Sequence, residues 1–223
     1  MSSTRRTAFV AGLFYLLTFA AIPTLRLYRE IKEPGYAVGP ASDAAARLGG
    51  FLEVLVAFAC IGTAVTLYPV LRRQQPGVAL GFVAARSLEA AAIFMGVASL
   101  MTLVRIHRPA ATSAEASALL PVGDALVGLY DMSFLLGQSL MPGVNAVLLG
   151  SLLLRSGLVP RIIPLIGLVG APIHLTAVAL TFFGVLAPLS PAAGLAALPI
   201  AAWEFSLGVY LVVKGFRPAS QFD

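Results

Sequence analysis

Residues 49–71 read GGFLEVLVAFACIGTAVTLYPVL, an apolar run interrupted by a single charged side chain, Glu53. About 20 helical residues, rising about 1.5 Å each, cross a bilayer core of about 30 Å, so this stretch is long enough to span one. Arg72 and Arg73 close it, and after Gln74-Gln75-Pro76-Gly77 a second run of the same kind covers residues 78–104. No water reaches the core of a bilayer to satisfy backbone N–H and C=O groups, so segments like these fold as helices that bond internally.

The rest of the chain follows the same pattern. Of 223 residues, 59% are hydrophobic and 11% charged, and the mean hydropathy is +0.92. Soluble domains carry about 25% charged residues, so this chain cannot coat a soluble globule, and its apolar content excludes a disordered one. Read with the same ruler, six segments qualify as spans: 8–27, 49–71, 78–104, 124–154, 161–183 and 194–213. The expectation is an all-α polytopic bundle, one transmembrane domain over residues 1–223, with the lipid bilayer as its first partner. Residues 30–47 and 106–121, which contain Pro, Gly, Ala and Ser, are expected to be surface loops. Ser3-Thr4-Arg5-Arg6 before an apolar stretch resembles a secretory signal, but no small-x-small cleavage pattern follows, and the segment is expected to be a retained first span.

The net charge of +5 does not point to nucleic acid, because the Lys and Arg residues lie in pairs beside apolar runs rather than on one polar face. They read as the flanks of spans. The side carrying Arg5, Arg6, Arg72, Arg73, Arg155, Arg161, Lys214 and Arg217 has the short loops, which places both termini in the cytoplasm. The lone Cys60 excludes an intrachain disulfide, and two histidines with one thiol do not make a zinc site, so neither metal nor cofactor is expected.

Six charged residues are left at or inside the spans: Arg86, Glu53, Glu89, Asp124, Asp131 and Glu204. A charge at the bilayer centre costs about 2.5–3.5 kcal/mol on insertion scales, so such groups face protein or a wet cavity. Helix rise puts Arg86 about 12–14 Å and Glu89 about 17–18 Å from the cytoplasmic face. From the opposite face Glu204 lies about 15 Å deep, Asp131 about 11 Å and Glu53 about 6 Å, while His174 is about 20 Å from the cytoplasmic side. One shared central polar cavity is the expectation. Arg86 and Glu89, three apart, share a helix face, and Arg86 should recruit another carboxylate, with Glu204 the first choice. Acids outnumber the one arginine, so one carboxylate is expected to be protonated, solvated or occupied by a cation.

The fourth span adds a polar run: Ser133, Gln138, Ser139, Met141-Pro142-Gly143 and Asn145. The proline predicts a break at 141–143 whose freed carbonyls line the cavity, although prolines also kink membrane helices for packing alone. Candidate ligand- or ion-binding residues are therefore Arg86, Glu89, Glu204, Glu53, Asp131, His174 and Asn145. His174 reads either as a proton carrier or as a satisfied core residue. No phosphate-cradling loop, nucleophile elbow, paired-histidine protease motif or internal duplication is present, so no residues are assigned a catalytic role.

Four stretches, RTAFVAGLFYLLTF at 6–19, ARSLEA at 85–90, LRSGLVPRII at 154–163 and LPIAAWEFSLGVYLVVKGF at 198–216, together resemble the bacterial integral-membrane family called domain of unknown function 4386. The resemblance covers essentially the whole chain. It implies a bacterial membrane protein of about six helices, places Arg86, Glu89 and Glu204 in its motifs, and supplies no reaction, substrate or cofactor. Three functional readings stand at this level. The first is binding or proton-coupled transport of a small polar or cationic ligand. The others are an intramembrane enzyme acting on a lipid-like substrate, and an assembly or sensor subunit whose charges only lock helix packing.

Overall fold

The computed structural model describes residues 3–109 and 111–217, and these form helices and turns with no strand among them. The helices are α1 (Ser3–Thr18), α2 (Thr24–Leu27), α3 (Ala44–Leu71), α4 (Pro76–Ile106), α5 (Ser113–Phe134), α6 (Leu140–Ser156), α7 (Ile162–Phe182) and α8 (Pro191–Val213). Among the described residues they make six helical stretches long and apolar enough to cross a membrane: Thr4–Leu27, Ala44–Leu71, Pro76–Ile106, Ser113–Ser156, Ile162–Phe182 and Pro191–Val213. The chain is a multi-pass membrane protein.

Neighbouring helices close into a ring in the order α1, α3, α4, α6, α7, α8 and back to α1, while α5 leans on α4 outside it. With lipid as solvent the hydrophobic effect does not press helices together, so close approach of backbones must do so. Gly167 of α7 lies under the Trp203 ring of α8, where a Cβ would sit 2.7 Å from the indole. At the seam between first and last helices a Cβ on Gly12 would come within 2.7 Å of the Gly208 carbonyl. That seam is tied at its end by Arg5, whose guanidinium donates to the carbonyls of Leu211 (2.9 Å), Val212 (2.6 Å) and Val213 (3.1 Å). A cation at these terminal carbonyls also complements the dipole of α8. Outward-facing positions such as Phe51, Phe58, Val65, Leu88 and Val169 are large and apolar, as a lipid-facing surface requires.

Three stretches depart from the sequence expectation. Helix begins at Ser113, inside the stretch read as a 106–121 loop, because Thr112 and Glu115 form a reciprocal cap: the Thr112 hydroxyl accepts from the Glu115 N–H (3.3 Å) and Glu115 accepts from the Thr112 N–H (2.8 Å). The continuous helical stretch of 44 residues is thus about 66 Å long and reaches well past a bilayer core of about 30 Å. The irregularity in this stretch also falls elsewhere. It is a π-helical turn at Leu135–Ser139, and Met141, Pro142 and Gly143 lie within α6. Proline lacks an N–H and its ring crowds the carbonyl four residues earlier, that of Gln138, so the distortion appears one turn before the proline.

The 30–47 connection is not a peripheral loop. It turns at Tyr36–Val38, with Gly35 in the left-handed region (φ +88°), and buries Tyr28, Ile31, Tyr36 and Ala37 against Leu100, Leu103, Val104 and Tyr130. The Arg108 N–H donates to the Ala37 carbonyl at 2.9 Å, fixing this plug to the end of α4.

Candidate functional site

Arg86, nearly three turns into α4, is 1% exposed and sits where five helices converge. Its Nη1 donates to Glu89 Oε2 at 2.9 Å and approaches Cys60 Sγ of α3 at 3.6 Å; its Nη2 donates to Glu204 Oε1 of α8 at 3.2 Å. Tyr15 of α1 lies under the guanidinium, 4.9 Å from ring centre to Cζ. Asn145 of α6 donates Nδ2 to the same Glu89 oxygen at 2.7 Å. Glu89 is thereby held by two donors and its side chain keeps 6% of its surface, whereas the Glu204 side chain keeps 13%.

Glu53, fully buried, does not join this group. It sits in α3 with four donors around it: Tyr130 (2.8 Å), Gln138 (3.1 Å), Tyr28 (3.2 Å) and Thr24 (3.5 Å). Asp131 belongs to neither cluster. Its carboxylate accepts from Lys32 Nζ at 2.6 Å and is 46% exposed, because the plug folds Lys32 back onto α5. Asp124 is exposed on α5 as well. The expected single layer is therefore two separate centres, one charged at Arg86 and one built of hydroxyls and an amide at Glu53, with Asp131 in a partly exposed surface pair.

His174 of α7 is 7% exposed and places Nε2 2.7 Å from the Ser139 carbonyl, at the end of the π turn. A carbonyl only accepts, so Nε2 carries the proton. Among the described residues, three buried polar side-chain atoms lack a hydrogen-bond partner: His174 Nδ1, Arg86 Nε and Asn145 Oδ1. All three belong to the candidate set. His174, Arg86, Glu89, Glu204 and Gln138 line a cavity of about 210 Å³. A larger, mostly apolar cavity of about 510 Å³ adjoins it and shares Gln138, His174 and Ala197 with it. Among the described residues no three His, Cys, Asp or Glu side chains are placed to hold a metal ion.

The donors around Glu53 were missed by sequence reasoning, although the signal existed. A carboxyl in lipid must find hydrogen bonds, and Tyr28, at the end of the first span, and Tyr130, about 9 Å deep by helix rise, were polar groups near its height; Gln138, about 21 Å deep on the same count, gave no such signal. A third cluster, at the C-terminal end of α4, was missed too. Asp43 accepts from Tyr36 at 2.7 Å and Arg47 at 3.3 Å, and lies 2.8 Å from His107 Nδ1, while His107 Nε2 faces the Gly39 carbonyl at 2.8 Å. Burial opposes the charge on Asp43, but the bonds from Tyr36, His107 and Arg47 outweigh it and hold the carboxyl below its ordinary value of 3.8. A depressed carboxyl contributes stability above 3.8 and loses that contribution as pH falls through its lower folded-state value. Thermal melts of wild type and Asp43→Asn should therefore differ at neutral pH and converge in acid below 3.8. A gap that persists in strong acid would refute this account of the cluster.

No curated protein and no solved structure matches this chain. A family profile does: it covers residues 10–215, nearly the whole chain, and takes in Arg86, Glu89, Glu204 and the helices that carry them. By that match the protein belongs to the family described as Domain of unknown function (DUF4386).

Proposed function

We propose that this protein binds, and carries across a bacterial inner membrane, a small polar or cationic ligand at the cavity beside Arg86 and Glu204, with both termini in the cytoplasm. The observation that carries this reading is the imbalance at that cavity. Arg86 is matched by two carboxylates, Glu89 and Glu204, which both line the space, and the Glu204 side chain is the more open of the two, 13% exposed against 6%. His174, whose buried Nδ1 has no partner, lines the same space. Arg86 is the fixed counter-charge and Glu89 its clamp, leaving Glu204 as the acid that meets ligand or proton. Glu53, surrounded by neutral donors, is a second place where a proton can be held.

The second reading, a subunit whose charges only lock the helices, is favoured by how completely Tyr15, Cys60, Glu89 and Asn145 enclose Arg86. The two readings separate in proteoliposomes. Cation uptake and internal pH are followed together for wild type and Glu204→Gln with a panel of inorganic and organic monovalent cations. Transport predicts uptake above empty liposomes with opposite proton movement, reduced by about tenfold or more in the variant, since a lost charged hydrogen bond is worth about 1.5–3 kcal/mol. Uptake equal to empty liposomes across the panel, with a folded wild-type protein, overturns transport and leaves the locking role.

A further inference from the structure

We infer that the ligand is an amphiphilic amine, its ammonium head at the Glu204 end and its apolar body in the larger adjoining cavity; this deepens the ligand-binding reading above and rests on it. The two cavities meet at Gln138, His174 and Ala197, and at about 210 and 510 Å³ they fall together within the range of about 300–1,000 Å³ usual for small-molecule sites. A ligand filling both has to change character along its length. In the larger space it meets Leu25, Met132, Leu135, Val178 and Leu189, with Lys32 and Asp131 paired to each other at the side.

At the smaller end acceptors prevail. Arg86 turns both terminal nitrogens to Glu89, Glu204 and Cys60, and its one unpartnered nitrogen, the buried Nε, is set against two unpartnered acceptors at the same centre, His174 Nδ1 and Asn145 Oδ1. Only Oε1 of Glu204 is engaged by Arg86. In the neutral ring, Nδ1 of His174 is a bare acceptor, because the Ser139 carbonyl fixes the proton on Nε2. A side chain 93% buried (7% exposed) with an acceptor that lacks a partner points to a donor that the protein itself does not supply. A primary ammonium supplies up to three such donors and a positive charge for the second carboxylate. An alcohol supplies one donor and no charge, and an anionic head meets repulsion. Leu189, at the far end of the apolar space, holds a left-handed backbone (φ +57°) that costs a leucine strain, a feature that concentrates at ligand-contacting segments.

The test is calorimetric titration of the full chain in lipid nanodiscs, with empty discs subtracted, using decylamine, decanol and ethylamine as probes. Decylamine should bind saturably, one per protein, and the other two about tenfold more weakly or worse. Glu204→Gln removes the head partner and Ala193→Trp fills the apolar space. Each variant, shown to melt cooperatively, should weaken decylamine by about tenfold. Ethylamine binding as tightly as decylamine overturns the placement of an apolar body, and decanol binding as tightly overturns the ammonium. Decylamine affinity unchanged in Glu204→Gln overturns the site. Failure of decylamine to bind while cation uptake persists in proteoliposomes overturns this inference alone; failure of both overturns the ligand-binding reading with it.

Discussion

Replacing Arg86 by leucine is expected to cost about 3–5 kcal/mol of stability, the usual consequence of removing one partner from a buried ion pair. The loss is not that of a favourable bond. Glu89, held by Arg86 and Asn145, and Glu204 would be left as carboxylates among Tyr15, Cys60 and apolar neighbours, with no cation to face. The cost is therefore the desolvation of two stranded acids, and it should be recoverable. A triple variant, Arg86→Leu with Glu89→Gln and Glu204→Gln, removes all three charges and should regain most of the melting temperature and membrane abundance of the wild type. Graded unfolding in mixed detergent reads both. A single variant as stable as wild type would mean that Arg86 is not an electrostatic keystone; a triple variant no better than the single would assign its role to packing of the long side chain against Tyr15 and Phe82.

The second large effect is expected at Glu53. Glu53→Leu strands the hydroxyls of Tyr28 and Tyr130 and the amide of Gln138, where each unsatisfied buried group costs about 1–3 kcal/mol, while Thr24 keeps its 2.6 Å bond to the Ala21 carbonyl. Even after partial rearrangement the net loss should be about 3 kcal/mol or more. Glu53→Gln should be mild by comparison. Its one carbonyl oxygen can accept from Tyr130 and Gln138, and its amide can donate to the Tyr28 hydroxyl, which turns to accept. Comparing the two variants in the same unfolding assay separates hydrogen-bonding need from charge. Equal damage by both would show that the charge itself is required.

Much of this architecture was legible from the residues. The spans follow from apolar length, and the meeting of Arg86 with Glu89 follows from a three-residue spacing on one helix. Depth brought Glu204 to the same height on another helix. Depth is only one coordinate, however. It gives height in the bilayer and not direction around a helix, which is why Glu53 was grouped with a charge it never touches. Asp131 shows the other limit. Its partner Lys32 sits in the 30–47 connection, which composition reads as a surface loop, and only the tertiary fold of the plug, with Gly35 in its left-handed turn, brings the ammonium back onto α5. The start of α5 was legible in the Thr112 and Glu115 pair, but the polar composition around it masked the cap. The π turn was not legible in detail, since Pro142 announces a distortion without saying on which side of itself the helix will absorb it.

The seam between α1 and α8 bears on the order of assembly. These helices stand at opposite ends of the sequence, with Arg5 bonded to Leu211 across 206 positions, yet they are neighbours in the ring. During synthesis α1 enters the membrane before α8 and has to wait, its Gly12 face bare to lipid, until α8 is released. A chain halted before residue 191 is an open horseshoe, lacking both Glu204 and the closing seam. Quality control in the membrane could then recognise incomplete chains by one surface, the small-residue stripe of α1, which in the finished protein is covered.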